Sequence, residues 1–343
     1  VAVDNRYSRQ VLFRGLGTDG QERLGAAHAL LVGCGALGSH VADLLVRAGV
    51  GTLTIADRDF IELSNLHRQT LFDEKDVAQG LPKAVAAARH LEAVNPVVRV
   101  IAQPIHLDAG NIEAVAAGAG VLLDGTDNFE TRFVMNDYAL RRRVPWIYAA
   151  CVGSYGLTMT ILPGETPCLR CIVRSQPAPG SVESCDTAGV IAPVAAVIAA
   201  IEAAEAIKIL SGAADTASRE LFAIDLWDNT SQRLRLDRDT VGDGCPACQR
   251  GEYEYLDRRM GGRAVTLCGR NAVQIQPGTR AGIDLAALAA RLATAGTVVR
   301  NPFLLRAEIE GLAIAVFPDG RAIVSGTDDA GRARSLYDRY VGS

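Results

Sequence analysis

One stretch limits the fold of this 343-residue chain more than any other. An apolar run from Ala29 to Val32 leads into Gly33-x-Gly35-x-x-Gly38, an apolar-periodic segment continues to Ala48, and a second run, Leu53 to Ile55, stops just before Asp57. Strand, glycine turn, helix, strand and acid in that order describe a nucleotide-binding βαβ unit. Glycines let backbone N–H groups approach phosphate oxygens at a helix N-terminus, where the helix dipole also favours negative charge. An acid about 20 residues further on can accept hydrogen bonds from a ribose. The glycines alone serve NAD, FAD or ATP, and sometimes only packing.

The following residues continue the same alternation. Pro82 opens an alanine-rich helix that ends near Val94, Val97 to Ala102 reads as a strand, Asn111 to Ala117 as a short helix, and Val121 to Asp124 as a strand. Asn128 to Arg143 is an amphipathic helix and Trp146 to Ala150 the next strand. This pattern predicts an α/β fold with a Rossmann-like, mainly parallel sheet and a ligand crevice at the strand C-termini. Gly156 to Leu162 then alternates like an antiparallel strand, and Leu221 to Leu226 with Gln232 to Leu236 could form a hairpin, so the sheet should carry an antiparallel extension. Residues 5 to 27 read as helical. A composition shift near Tyr253 to Arg259 divides the chain into residues 1–254, the main domain, and 255–343, a small C-terminal α+β appendage. The appendage holds an alanine-rich helix, Leu285 to Ala295, and a hairpin turned by Pro318-Asp-Gly320.

Charge and cysteine usage narrow the setting. With 35 basic against 39 acidic residues, no overall field draws the chain to nucleic acid or to an anionic membrane. The longest apolar segment, Gly189 to Ile201, is interrupted by Glu202 and Glu205 and reads as a buried helix, shorter than the roughly 20 residues that span a bilayer. No signal-peptide pattern opens the sequence, and the expected setting is cytoplasmic. Of eight cysteines, four form Cys168-x-x-Cys171 and Cys245-x-x-Cys248, the spacing of a tetrahedral structural Zn²⁺ site in which each pair presents two thiolates. Redox pairs or bystander cysteines are the other readings. Cys34, Cys151 and Cys268 lie in apolar contexts and read as packing residues.

The polar segment after Asp57 separates the nucleotides. It is long and polar for a turn inside a compact domain, and it packs Asn65, Arg68 and Gln69 together, with Lys83 at the next helix and Asp127 after a later strand. Two cations, two amides and an acid suit ATP with Mg²⁺, with cations facing phosphate and a carboxylate facing the metal. Each residue alone reads as part of a solvated loop. Five around one crevice do not, and an NAD(P)-dependent dehydrogenase would leave Arg68, Lys83 and Asp127 without a role.

These residues carry a family resemblance. Tyr7 to Gln10 (YSRQ), residues 33–38 (GCGALG), 64–69 (SNLHRQ), the Lys83 helix, 126–128 (TDN) and the paired cysteines together resemble the E1-like adenylyltransferases over residues 5 to about 250. That family includes the bacterial enzymes that activate sulfur-carrier proteins in thiamine and molybdopterin synthesis. The resemblance implies adenylation of the Gly-Gly C-terminus of a small ubiquitin-like (β-grasp) carrier. It also implies Asp57 on the ribose, Asn65, Arg68, Gln69 and Lys83 on the phosphates, Asp127 on Mg²⁺, and a homodimer in which Arg9 reaches the γ-phosphate end of its partner's site. Relatives that pass the activated carboxylate to sulfur have a cysteine where this chain has Cys185. The expectation is a covalent thioester or acyl disulfide there, set against an exposed bystander. His67 receives no chemistry. The tail, ending LYDRYVG, is similar to that of some thiamine-pathway members, which favours that carrier over those of molybdopterin synthesis or tRNA thiolation. Cys268 does not sit in the arginine- and glycine-rich loop of a sulfur-bearing rhodanese domain. A catalytically silent scaffold with the same fold is the third reading.

Overall fold

The computed structural model describes residues 5–177, 185–238, 243–257, 264–267, 271–275 and 282–342. The chain divides into two compact units, residues 1–177 with 188–260, and residues 178–187 with 261–343.

The first unit is built on one eight-stranded sheet. Its strands are β1 (His28–Val32), β2 (Thr52–Ala56), β3 (Arg99–Gln103), β4 (Val121–Asp124), β5 (Trp146–Val152), β6 (Tyr155–Ile161), β7 (Glu220–Asp225) and β8 (Thr230–Arg235). Their spatial order is β3-β2-β1-β4-β5-β6-β7-β8. The first five run parallel, and the pairs from β5 to β8 are antiparallel. Order reverses between β1 and β4, which places a topological switch point at the C-terminal end of β1.

Sequence explains the layers. β1 and β4 are near-continuous apolar runs because helices cover both faces of a parallel sheet. The helices of this unit are α1 (Gly17–Ala26), α2 (Ala36–Ala48), α3 (Glu74–Gln79), α4 (Lys83–Val94), α5 (Ile112–Val115), α6 (Phe129–Arg142), α7 (Leu169–Ile172) and the 19-residue α9 (Ala192–Leu210); the short α8 (Cys185–Ala188), which precedes α9 in the chain, has residues 185–187 in the second unit. α9 packs on α2 and on β5 and β6, while α6 packs on β4 and β5. Leu30, Leu122, Phe133, Tyr138 and Trp146 centre the core on the α6 side, where the Phe133 and Tyr255 rings stack at 4.5 Å. Among the described residues no helix is long and apolar enough to cross a membrane.

The helical reading of residues 5–27 is too broad. Only a 3-10 turn, Asn5–Tyr7, and α1 form there, with turns between them. Gly15 and Gly17 interrupt the segment, and Gly17 adopts φ +64°.

The second unit is an antiparallel six-stranded sheet in the order β11-β12-β13-β14-β10-β9, formed by β9 (Ala264–Leu267), β10 (Ala272–Ile275), β11 (Thr297–Arg300), β12 (Leu305–Ile309), β13 (Leu312–Val316) and β14 (Ala322–Ser325). β13 and β14 form the hairpin expected around Pro318 to Gly320. Helices Leu285–Leu292 and Ala330–Tyr340 supply Leu288, Leu292, Leu336 and Tyr337 to a core with Val273, Ile314 and Val324.

Candidate functional site

The crevice forms around the C-terminal end of β1. Gly33 has φ +88°, and a Cβ there would stand 2.4 Å from the Gly125 carbonyl oxygen; a Cβ on Gly38 would stand 2.0 Å from the Gly33 carbonyl oxygen. The loops after β1 and β4 therefore meet backbone to backbone. Only glycine permits that approach.

Asp57, just beyond β2, anchors this loop. Its Oδ2 accepts from the Cys34 N–H at 2.6 Å and its Oδ1 from the Asp59 N–H at 2.7 Å. Burial pushes this carboxyl above the ordinary aspartate range, and Lys83 pulls it back. Lys83 starts α4, is 3% exposed, and places Nζ 3.3 Å from Asp59 Oδ2. A buried ammonium beside a nucleotide loop is suited to bind phosphate rather than to be solvated.

Asn65 and Gln69 are buried in the segment that the sequence marks as polar. Asn65 ends a 3-10 turn, Leu63–Asn65, and its Oδ1 accepts from the Glu62 N–H at 3.1 Å. Gln69 donates its backbone N–H to the Asn65 carbonyl, and its Nε2 lies 3.8 Å from where a Gly35 Cβ would be. Its buried Oε1 has no hydrogen-bond partner. An orphaned polar atom against the glycine loop fits a site that a ligand completes. Arg68 is half-buried and folds back, donating to the Ser64 carbonyl at 2.7 Å and standing 2.9 Å from His67 Nε2.

Asp127 stands in the loop between β4 and α6 with its side chain 53% exposed. That loop is rigidly held. Asn128 caps α6 by accepting from the Glu130 and Thr131 N–H groups. Arg132 donates to Asp124 Oδ2 at 2.8 Å, to the Thr126 carbonyl at 2.6 Å and to the Ala149 carbonyl at 3.0 Å. Asp124 is fully buried, and burial, opposed chiefly by Arg132, pushes its carboxyl up to about 6. Glu202, fully buried on α9, accepts from the Asp124 N–H at 2.8 Å; desolvation and the Asp124 charge raise its pKa well above the usual range. One exposed carboxylate on a fixed loop fits Mg²⁺, which is usually held by one or two carboxylates together with substrate phosphates.

The four paired cysteines converge. Sγ–Sγ separations are 3.8 Å for Cys168–Cys171, 3.7 Å for Cys168–Cys245 and 3.4 Å for Cys171–Cys248. Thiolates around one tetrahedral Zn²⁺ at about 2.3 Å stand about 3.8 Å apart, so the cluster fits zinc with no open position.

Thus Asp57 and Gln69 reach the glycine loop directly, Asn65 is linked to it through Gln69, and Lys83 and Asp127 are joined to one another through Asp59 and Arg58. Arg9 is exposed in the turn after the first 3-10 turn. Cys185 begins α8, and its side chain lies outside the described residues, as does all of Cys268. Cys34 is buried as expected, whereas Cys151 is only half-buried. Sequence reasoning missed Arg58, Asp59, Asp124, Arg132 and Glu202. Their signals were present in the alternation Asp57-Arg58-Asp59, in Asp124 and Arg132 bracketing the Asp127 loop, and in an acid within an apolar helix.

A switch-point crevice lined by a buried lysine and acids, on a sheet extended toward a four-thiolate cluster, is the architecture of an E1-like adenylyltransferase. Comparison with known proteins makes this particular. The chain belongs to the ThiF family, whose model matches residues 7–247. It is similar to the sulfur carrier protein ThiS adenylyltransferase of Bacillus subtilis, 42% identical over 99% of this chain and 100% of that protein. The molybdopterin-synthase adenylyltransferase of Escherichia coli is 35% identical over 71% of this chain and 95% of its own length. Among solved structures, E. coli MccB with ATP superposes with a TM-score of 0.60 at 26% identity, over 72% of this chain and 74% of that one.

Proposed function

We propose that this enzyme adenylates the C-terminal glycine of a small ubiquitin-like sulfur-carrier protein with ATP, ahead of sulfur transfer in thiamine biosynthesis. The observation that carries the reading is the end-to-end match to a ThiS adenylyltransferase, which includes the C-terminal unit as well as the nucleotide crevice. The similarity to a molybdopterin-synthase adenylyltransferase supports the alternative carrier, but it covers 71% of this chain against 99% for the ThiS adenylyltransferase.

The chemistry needs no general base. A terminal carboxyl has a pKa of roughly 3.5 and is ionised at neutral pH. A carboxylate oxygen of the carrier attacks the α-phosphorus of ATP, the bond from that phosphorus to the bridging oxygen breaks, and pyrophosphate leaves. No proton is transferred. The barrier is the approach of an anion to a polyanion, so positioning and charge neutralisation do the work. Lys83, Asn65, Gln69 and Arg68 face the phosphates, Arg68 by swinging from its present contact with Ser64. The glycine loop supplies N–H donors, and Asp57 takes the ribose. Asp127 holds Mg²⁺, which offsets phosphate charge. Arg9 serves the site of a partner copy in a homodimer. The thiolate of Cys185 then attacks the acyl-adenylate carbonyl, expelling AMP and leaving a thioester. Zn²⁺ on the four cysteines is structural, and the enzyme works in the cytoplasm.

ATP–pyrophosphate exchange measured with candidate Gly-Gly-ended carriers tests the reading. Exchange that requires the thiamine carrier supports it, and exchange with the molybdopterin carrier alone reassigns the pathway. Tight NAD binding without exchange overturns adenylation.

A further inference from the structure

Arg58 has no place in the scheme above, yet it joins the loop after β2 to the loop after β4. It follows Asp57 directly, and its side chain is 11% exposed. Its Nε is 3.7 Å from Asp59 Oδ1, its Nη1 3.5 Å from His106 Nδ1, and its Nη2 4.0 Å from Asp127 Oδ1. Lys83 holds the other oxygen of Asp59. A chain of alternating charge, Lys83–Asp59–Arg58–Asp127, therefore runs from the start of α4 to the loop after β4. Since β1 lies between β2 and β4, the contact from Arg58 to Asp127 spans the end of β1.

The two ends of that contact differ in freedom. Arg58 is largely buried and braced by Asp59 and His106. Asp127 is half exposed on a loop whose backbone is fixed by Arg132 and by the Asn128 cap, so its carboxylate can turn without moving the chain. A divalent cation at Asp127 must displace the guanidinium as its counter-charge, because one carboxylate cannot serve both fully. The displaced cation stays in place, and its donors then face the nucleotide.

Resting on the adenylation reading, we propose that Arg58 is a nucleotide-binding residue exchanged between two anions: it neutralises Asp127 in the free enzyme and a phosphate oxygen of ATP once Mg²⁺ has taken Asp127. The energetic consequence is specific. Without metal, Asp127 competes with ATP for Arg58. With metal, it does not.

Calorimetric titration of the full chain with ATP, in EDTA and in Mg²⁺, reads this without turnover. Arg58→Gln should weaken ATP binding about tenfold in Mg²⁺, the weight of one charge-assisted hydrogen bond, and less in EDTA, where Asp127 competes for the guanidinium. Asp127→Asn should strengthen metal-free binding at least threefold and reduce the gain on adding Mg²⁺. In the Arg58→Gln background the Asp127→Asn gain should disappear, which separates exchange of Arg58 from simple removal of a negative charge. Arg58→Lys, which keeps the cation, should hold binding in Mg²⁺ within threefold of wild type, and it carries the test if the glutamine variant fails to fold. An Asp127→Asn gain that persists in the double variant, or binding in Mg²⁺ unchanged by Arg58→Gln, overturns the proposal. Failure of the wild-type chain to bind ATP with Mg²⁺ would instead overturn the adenylation reading itself.

Discussion

Removing the Arg132 guanidinium should produce a stability loss that depends on pH in a direction fixed by Asp124. In Arg132→Met the buried Asp124 carboxylate loses its cation at 2.8 Å, and the Thr126 and Ala149 carbonyls lose their donor. Breaking one side of a buried ion pair costs about 3–5 kcal/mol because the remaining charge is uncompensated. The sign follows from the folded pKa. Asp124 lies at about 6 in the folded protein against an ordinary 3.8, so across that window the folded state holds the extra proton and stability falls as pH rises. Arg132 is the strongest influence holding that value down. Its loss drives the folded pKa higher and extends the window upward. The deficit of the variant relative to wild type should therefore be full at pH 8 and shrink toward pH 5.5, at up to about 1.4 kcal/mol per pH unit. Urea unfolding of both proteins at the two pH values measures this, and titrations common to both cancel in the difference. A deficit equal at both pH values, or larger at pH 5.5, refutes the assignment of Arg132 as the counter-ion of Asp124.

Other outcomes follow from the same geometry. Lys83→Met, which removes the buried ammonium beside Asp59, should lower carrier-dependent pyrophosphate exchange about 100-fold or more, on the scale of a lost transition-state donor; exchange kinetics within a few-fold of wild type would exclude Lys83 from the phosphate site. Chelation, or Cys248→Ser, should lower the melting temperature by several degrees, and elemental analysis should find one zinc per chain; freshly purified protein without zinc would contradict the four-thiolate assignment. Cys185→Ala should spare exchange and abolish a covalent carrier adduct, detected on non-reducing gels. An unchanged adduct would remove Cys185 from the pathway.

The parts of this protein that were legible in its sequence are those where one residue type answers one local requirement. Gly33 and Gly38 are needed because two loops touch, and the apolar runs of β1 and β4 follow from burial on both faces. Asn128 announces the start of α6, and two Cys-x-x-Cys turns announce a thiolate cluster. Less legible were pairings across long sequence separations. Glu202 reaches Asp124 across 78 residues, and nothing local distinguishes it from Glu205, also buried, which pairs with its neighbour Lys208. Arg58 and Asp59 gain meaning only when β2 and β4 are brought to either side of β1. Residues 5–27 were overread because helix-compatible residues surround Gly15 and Gly17, and of these Gly17 takes the left-handed conformation, φ +64°, at the start of α1.

Intact-mass analysis of the carrier after mixing with the Cys185→Ala enzyme, which leaves the acyl-adenylate intact, ATP and Mg²⁺ tests the central claim most directly. The account predicts a carrier species heavier by one AMP, formed with release of pyrophosphate and lost when the terminal glycine of the carrier is deleted. A carrier that stays unmodified while the enzyme binds ATP, or an AMP group attached elsewhere than the terminal carboxylate, would contradict it.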